Sequence, residues 1–225
     1  MRFPNAKKGI RNIFRSEIIM LFFDLATAIV SILVMVAGAD LNKIALDEIS
    51  GLTLVFMILG LVALLSLLIG GIFRIVGFLQ AARDDQGFRL AIFFTLSAVL
   101  FNFAQSFFQT KGGALGWVHA ILSVLGVIAQ MLVTVYAIGG MMNLSRKSHR
   151  DDLVGKGKTI LKVLLATYAC RITAFIITVF VRANDFNQMV ATLLTYAVAV
   201  LTAVQYLLYL PYLFRVGKML GAEKS

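Results

Sequence analysis

One cysteine, two histidines and two prolines in 225 residues, with only 11 acidic side chains against 21 basic ones, leave this chain few of the groups that most chemistry requires. Cys170 stands alone within an apolar run, so the chain by itself builds neither a disulfide nor a cysteine metal site. His119 lies near the end of one apolar run and His149 in a basic loop, too far apart to share a metal or a haem. Each reads as a hydrogen-bonded or solvated side chain.

Long loops are also missing. There is no linker, no low-complexity tract and no connection long enough to hold a soluble domain. What is present is apolar: 60% of the residues are hydrophobic, against about 45 to 50% in a soluble domain. Six runs, at residues 18–38, 52–80, 88–108, 115–142, 160–181 and 189–216, reach the roughly 20 residues that span a bilayer core as a helix. They are continuous and do not alternate as membrane strands do. The expected fold is an all-α polytopic membrane protein of six transmembrane helices. Residues 1–17 form a basic amphipathic segment, 18–216 the membrane domain and 217–225 a tail.

The basic residues fall on alternate loops. Arg2, Lys7, Lys8, Arg11, Arg15, Arg74, Arg83, Arg89, Arg146, Lys147, Arg150, Lys156, Lys158, Lys162, Arg215, Lys218 and Lys224 lie on one side, and only Lys43, Lys111 and Arg182 on the other. Lys and Arg near helix ends stay cytoplasmic, so both termini are expected inside, in a plasma (inner) membrane. The net charge of +10 is then a topology signal. It is divided among four short segments and forms no single groove for nucleic acid. Ala37-Gly38-Ala39 before Asp40 has the form of a signal-peptide cleavage site. The apolar stretch ahead of it exceeds the usual 7 to 15 residues and contains Asp24, so it reads as a retained helix.

Before that helix, Ile10, Ile13 and Phe14 share a face while Lys7, Lys8, Arg11 and Arg15 take the others. The spacing suits either a short helix lying in anionic lipid headgroups or plain positive-inside anchoring. An internal repeat is visible in Gly70-Gly71 followed by Arg83-Asp84-Asp85, and Gly139-Gly140 followed by Arg150-Asp151-Asp152. Phe214-Arg215-Val216-Gly217 echoes Phe73-Arg74-Ile75-Val76-Gly77, which suggests three parallel helical hairpins. Small residues four apart, at Ser66 and Gly70, at Gly112, Gly116 and Ala120, and at Thr195, Ala199 and Ala203, mark faces for close helix contact, in the same chain or in a second copy or partner membrane protein.

Charges inside the apolar runs are the sharpest signal, since an arginine at midplane costs at least about 2.5 to 3.5 kcal/mol. Arg171 lies near the middle of the fifth run and Asp24 within the first. Both helices run the same way and side chains lean toward a helix N-terminus, so Arg171 is expected to reach Asp24 and pair with it. The pair serves as a lock on helix register or as an anion site with its counter-ion. Asn102, Gln105, Gln130, Gln205 and Tyr206, with Tyr136, Tyr168 and Tyr196, either bond helix to helix or line a polar cavity. Pro211 removes a backbone donor near the end of the sixth run and is a candidate hinge.

No catalytic constellation appears. Ser145-Arg146-Lys147-Ser148-His149 has the wrong spacing for a lipid phosphatase, and Asp84-Asp85 and Asp151-Asp152 are isolated pairs, read as local partners of Arg83, Arg89 and Arg150. No serine-hydrolase, zinc-protease or phosphate-cradling motif is present. The chain is expected to be no enzyme and to hold no metal or cofactor.

With six helices in about 225 residues and both ends inside, the chain resembles in size and topology the substrate-binding subunits of energy-coupling-factor transporters. No ligand-binding motif of that family is carried over. Its opening Asn5-Ala6-Lys7-Lys8-Gly9-Ile10 through Glu17, and Gly155-Lys156-Gly157-Lys158, resemble uncharacterised small multi-pass proteins of Gram-positive bacteria, a likeness that implies no function. The expected role is an accessory or assembly membrane protein, with a small-molecule transporter or transporter subunit as the alternative.

Overall fold

The computed structural model describes residues 3–37, 51–108, 114–180 and 185–222. They form six helices and nothing else: α1 (Pro4–Ala37), α2 (Gly51–Ala81), α3 (Gln86–Ser106), α4 (Ala114–Lys147), α5 (Asp151–Phe180) and α6 (Asp185–Ala222). Five, α2 to α6, are long and apolar enough to cross a membrane. The cleavage-like Ala37-Gly38-Ala39 and the small residue Gly112 lie in part or wholly outside the described residues.

Helices pair as consecutive hairpins, α1 with α2, α3 with α4 and α5 with α6. α6 also packs on α1, and α2 and α3 touch least among these neighbours. The N-terminus of α1 lies beside the ends of α2 and α6, so the termini and the two tight turns share one end of the bundle, here called the basic end. There Asp84 accepts the Ala6 backbone N–H at 2.6 Å and the Asn5 amide at 3.2 Å, satisfying free donors at the start of α1. Asp85 caps α3 through the Gly87 N–H at 2.9 Å and sits 3.5 Å from Lys147. These two aspartates thus reach other helices, correcting the expectation of local arginine partners. Only Asp152 follows it, meeting Arg150 at 2.9 Å.

The helices overrun the apolar runs at the basic end. Residues 4–17 are continuous with α1, and Ala6, Ile10 and Ile13 are fully buried. Ile13 lies against Gly77 of α2, Ile10 near Gly217 of α6, and Phe14 6.1 Å from the Phe214 ring. The amphipathic face is therefore covered by protein; Lys8, Arg11 and Arg15 occupy the exposed remainder.

Glycines permit this packing. A Cβ on Gly9 would stand 2.5 Å from the Gly77 carbonyl oxygen, and one on Gly87 3.0 Å from the Gly140 Cα, so two hairpins cross backbone on backbone. Gly77 and Gly140 thus take like places, at the close crossings within the first two hairpins. Gly71 and Gly139 face open space and Gly70 packs instead on Met20, which corrects the alignment of Gly70-Gly71 with Gly139-Gly140. Of the small-residue rows, Gly70 and Ala120 are buried, while Thr195, Ala199 and Ala203 are exposed.

The core cluster is concentrated at the basic end. Ile10, Ile13, Phe78, Phe88, Ile138, Met141, Leu144, Leu153, Ile160, Tyr212 and Leu213 are its largest members. On α6 the buried residues begin at Tyr209. α6 runs unbroken through Pro211, which lines a cleft of about 270 Å³ with Lys156 and Arg215 between α5 and α6.

Candidate functional site

Above this core lies a polar cavity of about 220 Å³ walled by five helices. α1 supplies Glu17 and Asp24, α2 Arg74, α4 Thr134, α5 Thr167, Tyr168 and Arg171, and α6 Val198, Thr202, Gln205, Tyr206 and Tyr209. The α1 residues reach it because the buried face that carries Ile10 and Ile13 continues through Ser16 and Glu17 at helical spacing. The Ser16 hydroxyl donates to the Gly70 carbonyl at 2.7 Å, fixing α1 against α2 just where the apolar packing ends.

One ion pair is set into the wall. Arg74 Nη2 lies 3.5 Å from Glu17 Oε1, with the Glu17 side chain 7% exposed. Breaking such a buried pair by removing one partner leaves an uncompensated charge, which costs far more than the intact pair contributes. Arg74 also lies 5.9 Å from the Phe78 ring centroid, over the core. Glu17 Oε1 and Arg74 Nε have no hydrogen-bond partner.

The expected Asp24–Arg171 pair does not form among the described residues. Asp24 Oδ2 instead accepts the Tyr206 hydroxyl at 2.7 Å. Arg171 makes no hydrogen bond or ion pair among the described residues, although both charges line the same cavity, as the lean of α5 side chains requires.

Arg171 also lines a second cavity, of about 280 Å³, between α3, α4 and α5. Asn102, Gln105, His119, Ser123 and Gln130 contribute its polar surface. Asn102 fits there because Gly126 opposite has no side chain; a Cβ would come within 2.9 Å of the Asn102 amide oxygen. His119 Nδ1 lies 3.3 Å from the Gln105 carbonyl near the end of α3. Of the residues singled out from sequence, Asp24, Arg171, Gln205 and Tyr206 therefore meet in the first cavity, and Asn102, Gln105, Gln130 and Arg171 in the second.

Other tyrosines divide. Tyr168 lines the first cavity, Tyr136 stacks on Phe94 at 5.3 Å, and Tyr196 is 66% exposed and lines neither. Glu17 and Arg74 are the site residues that sequence reasoning missed. Arg74 had been counted among the topology-setting charges, although its place inside the second apolar run was a signal. Glu17 lies outside the first run, but its i+4 and i+7 relation to Ile13 and Ile10 puts it on the buried face. The chain matches no protein-family profile, no curated protein and no solved structure.

Proposed function

We propose that this protein is a six-pass plasma-membrane protein, with both termini in the cytoplasm, that binds a small solute in the cavity beside Arg171, as a transporter or a transporter's substrate-binding subunit. One observation carries the reading. The polar residues of all six helices converge on two cavities that share an arginine with no hydrogen bond or ion pair among the described residues. Ionisable groups within a membrane are costly and typically mark a ligand or ion path. A purely structural lock would be expected to consume its charges in helix-to-helix pairs, as Glu17 and Arg74 do. Arg171 does not.

The topology part rests on the seventeen-to-three distribution of basic residues and on the shared end of the termini and tight turns. The exposure of Lys8, Arg11 and Arg15 supports a contact with anionic headgroups on the cytoplasmic side. No catalytic chemistry is assigned.

Native mass spectrometry of the protein extracted gently from its own membrane, wild type beside Arg171→Ala, tests the reading. A small molecule or an ATPase subunit that accompanies the wild type, with the small molecule lost in the variant, supports it. Ordinary lipids and self-association alone, unchanged by the substitution, overturn it and leave the accessory or assembly role.

A further inference from the structure

Resting on that reading, we infer that the solute is a small zwitterion of amino-acid type, its ammonium held on the Asp24 side of the first cavity and its carboxylate on Arg171. The cavity wall carries two acids and two bases. Glu17 and Arg74 stand 3.5 Å apart and neutralise each other. That leaves one charge of each sign: among the described residues Asp24 on α1 has a neutral hydroxyl as its side-chain hydrogen-bond partner, and Arg171 on α5 has no hydrogen bond or ion pair.

Charge balance then selects the ligand. Asp24 and Arg171 face one cavity without an ion pair between them among the described residues, and both are exposed, so neither charge is enclosed by protein and each is open to a ligand. A simple anion would neutralise Arg171 and leave Asp24 uncompensated; a simple cation would do the reverse. A molecule with both charges a few atoms apart satisfies both residues and adds no net charge. The remaining hydrogen-bonding capacity has the same two-signed character: Glu17 Oε1, although ion-paired with Arg74, accepts no hydrogen bond, and Arg74 Nε donates none.

Size agrees. About 220 Å³ equals roughly seven waters at about 30 Å³ each, room for an amino acid and too little for a nucleotide or a peptide. Beyond Arg171 the second cavity presents Asn102, Ser123 and Gln130, neutral polar groups suited to an uncharged side chain.

The test uses the full chain in nanodiscs of neutral lipid, which removes anionic headgroups as competitors for Arg171. An equimolar mixture of the twenty protein amino acids with glycine betaine is added, and bound masses are read by native mass spectrometry. Any species captured is then compared with its N-acetyl form, which lacks the ammonium, and its carboxamide, which lacks the carboxylate. We expect capture of at least one zwitterion, and a loss of at least about tenfold in affinity for each derivative. Asp24→Asn, which keeps an acceptor for Tyr206, should weaken the parent while leaving the N-acetyl form unchanged. Derivatives that bind as tightly as the parent overturn the zwitterion and leave a solute site standing. So does a simple anion or cation that comes from the native membrane and is lost in Arg171→Ala. If no amino acid is captured and the native extract holds no solute, both readings fall together.

Discussion

The Tyr206 hydroxyl donates to Asp24 Oδ2 at 2.7 Å, tying α6 to α1 across 182 positions of sequence. This bond takes the place of the ion pair that a mid-membrane aspartate and arginine would otherwise suggest. Exchanging the charges, Asp24→Arg with Arg171→Asp, should therefore give no rescue: the double variant should express and unfold no better than the worse single one. Tyr206→Phe should cost about 0.6 to 1.7 kcal/mol, the range of interhelical hydrogen bonds in membranes. Detergent-solubilised unfolding curves read both, and recovery by the double exchange would show direct contact.

Glu17 and Arg74 should behave in the opposite way. Glu17→Ala leaves the Arg74 guanidinium, 26% exposed, without its carboxylate and should destabilise by up to about 3 kcal/mol, the low end for a buried pair, whereas Glu17→Met with Arg74→Met should restore most of that loss. The same unfolding assay decides it. If the single and the double variants are equally unstable, the side chains are not acting as a pair.

The glycine crossings predict position-dependent alanine effects. Gly9→Ala would push a methyl to 2.5 Å from a backbone oxygen of α2 and should lower stability by about 1 to 3 kcal/mol. Gly71→Ala, with open space beside it, should be neutral or up to about 1 kcal/mol stabilising through helix propensity. A comparable loss at both positions would mean that the helices do not cross where the structure puts them.

His149 offers a gain. It has φ 56° at the end of α4, with the Arg150 N–H bonded to the Ser145 carbonyl at 2.9 Å and its own N–H to Arg146 at 3.1 Å, a Schellman closure. A left-handed residue with a Cβ is disfavoured by about 1 to 2 kcal/mol, so His149→Gly should raise the unfolding midpoint and His149→Val should lower it. A histidine chosen for its imidazole would instead give a loss with glycine.

Much of the fold was legible because lipid imposes one rule: an apolar run of spanning length must satisfy its own backbone and so becomes a helix. The six runs correspond to the six helices, of which five meet the span criteria, and consecutive helices pair as hairpins. Helix ends were not legible. α1 and α5 begin well before their apolar runs because their charged first turns are tied down by protein or face water, at Asp84 and at the Arg150–Asp152 pair. Hydropathy reports only the lipid-facing length.

The site was legible as a set of polar exceptions and illegible as a pairing. Depth can be read from position along a helix, which is why Asp24 and Arg171 were placed on one level. Which way each side chain turns depends on rotation about the helix axis. That rotation is set by the Gly9–Gly77 and Ser16–Gly70 contacts more than two turns below Asp24, and nothing in the apolar runs announces it.

The buried core occupies the basic end, and the cavities lie beyond it. In a bundle held at one pole, rigidity falls off with distance from the clamp, since segments with few buried contacts open at the lowest free energy. The three hairpins are packed together near Gly9, Gly87 and Tyr212, so the two ends of the bundle are unequal: one closed by interlocked side chains, the other carrying the polar cavities.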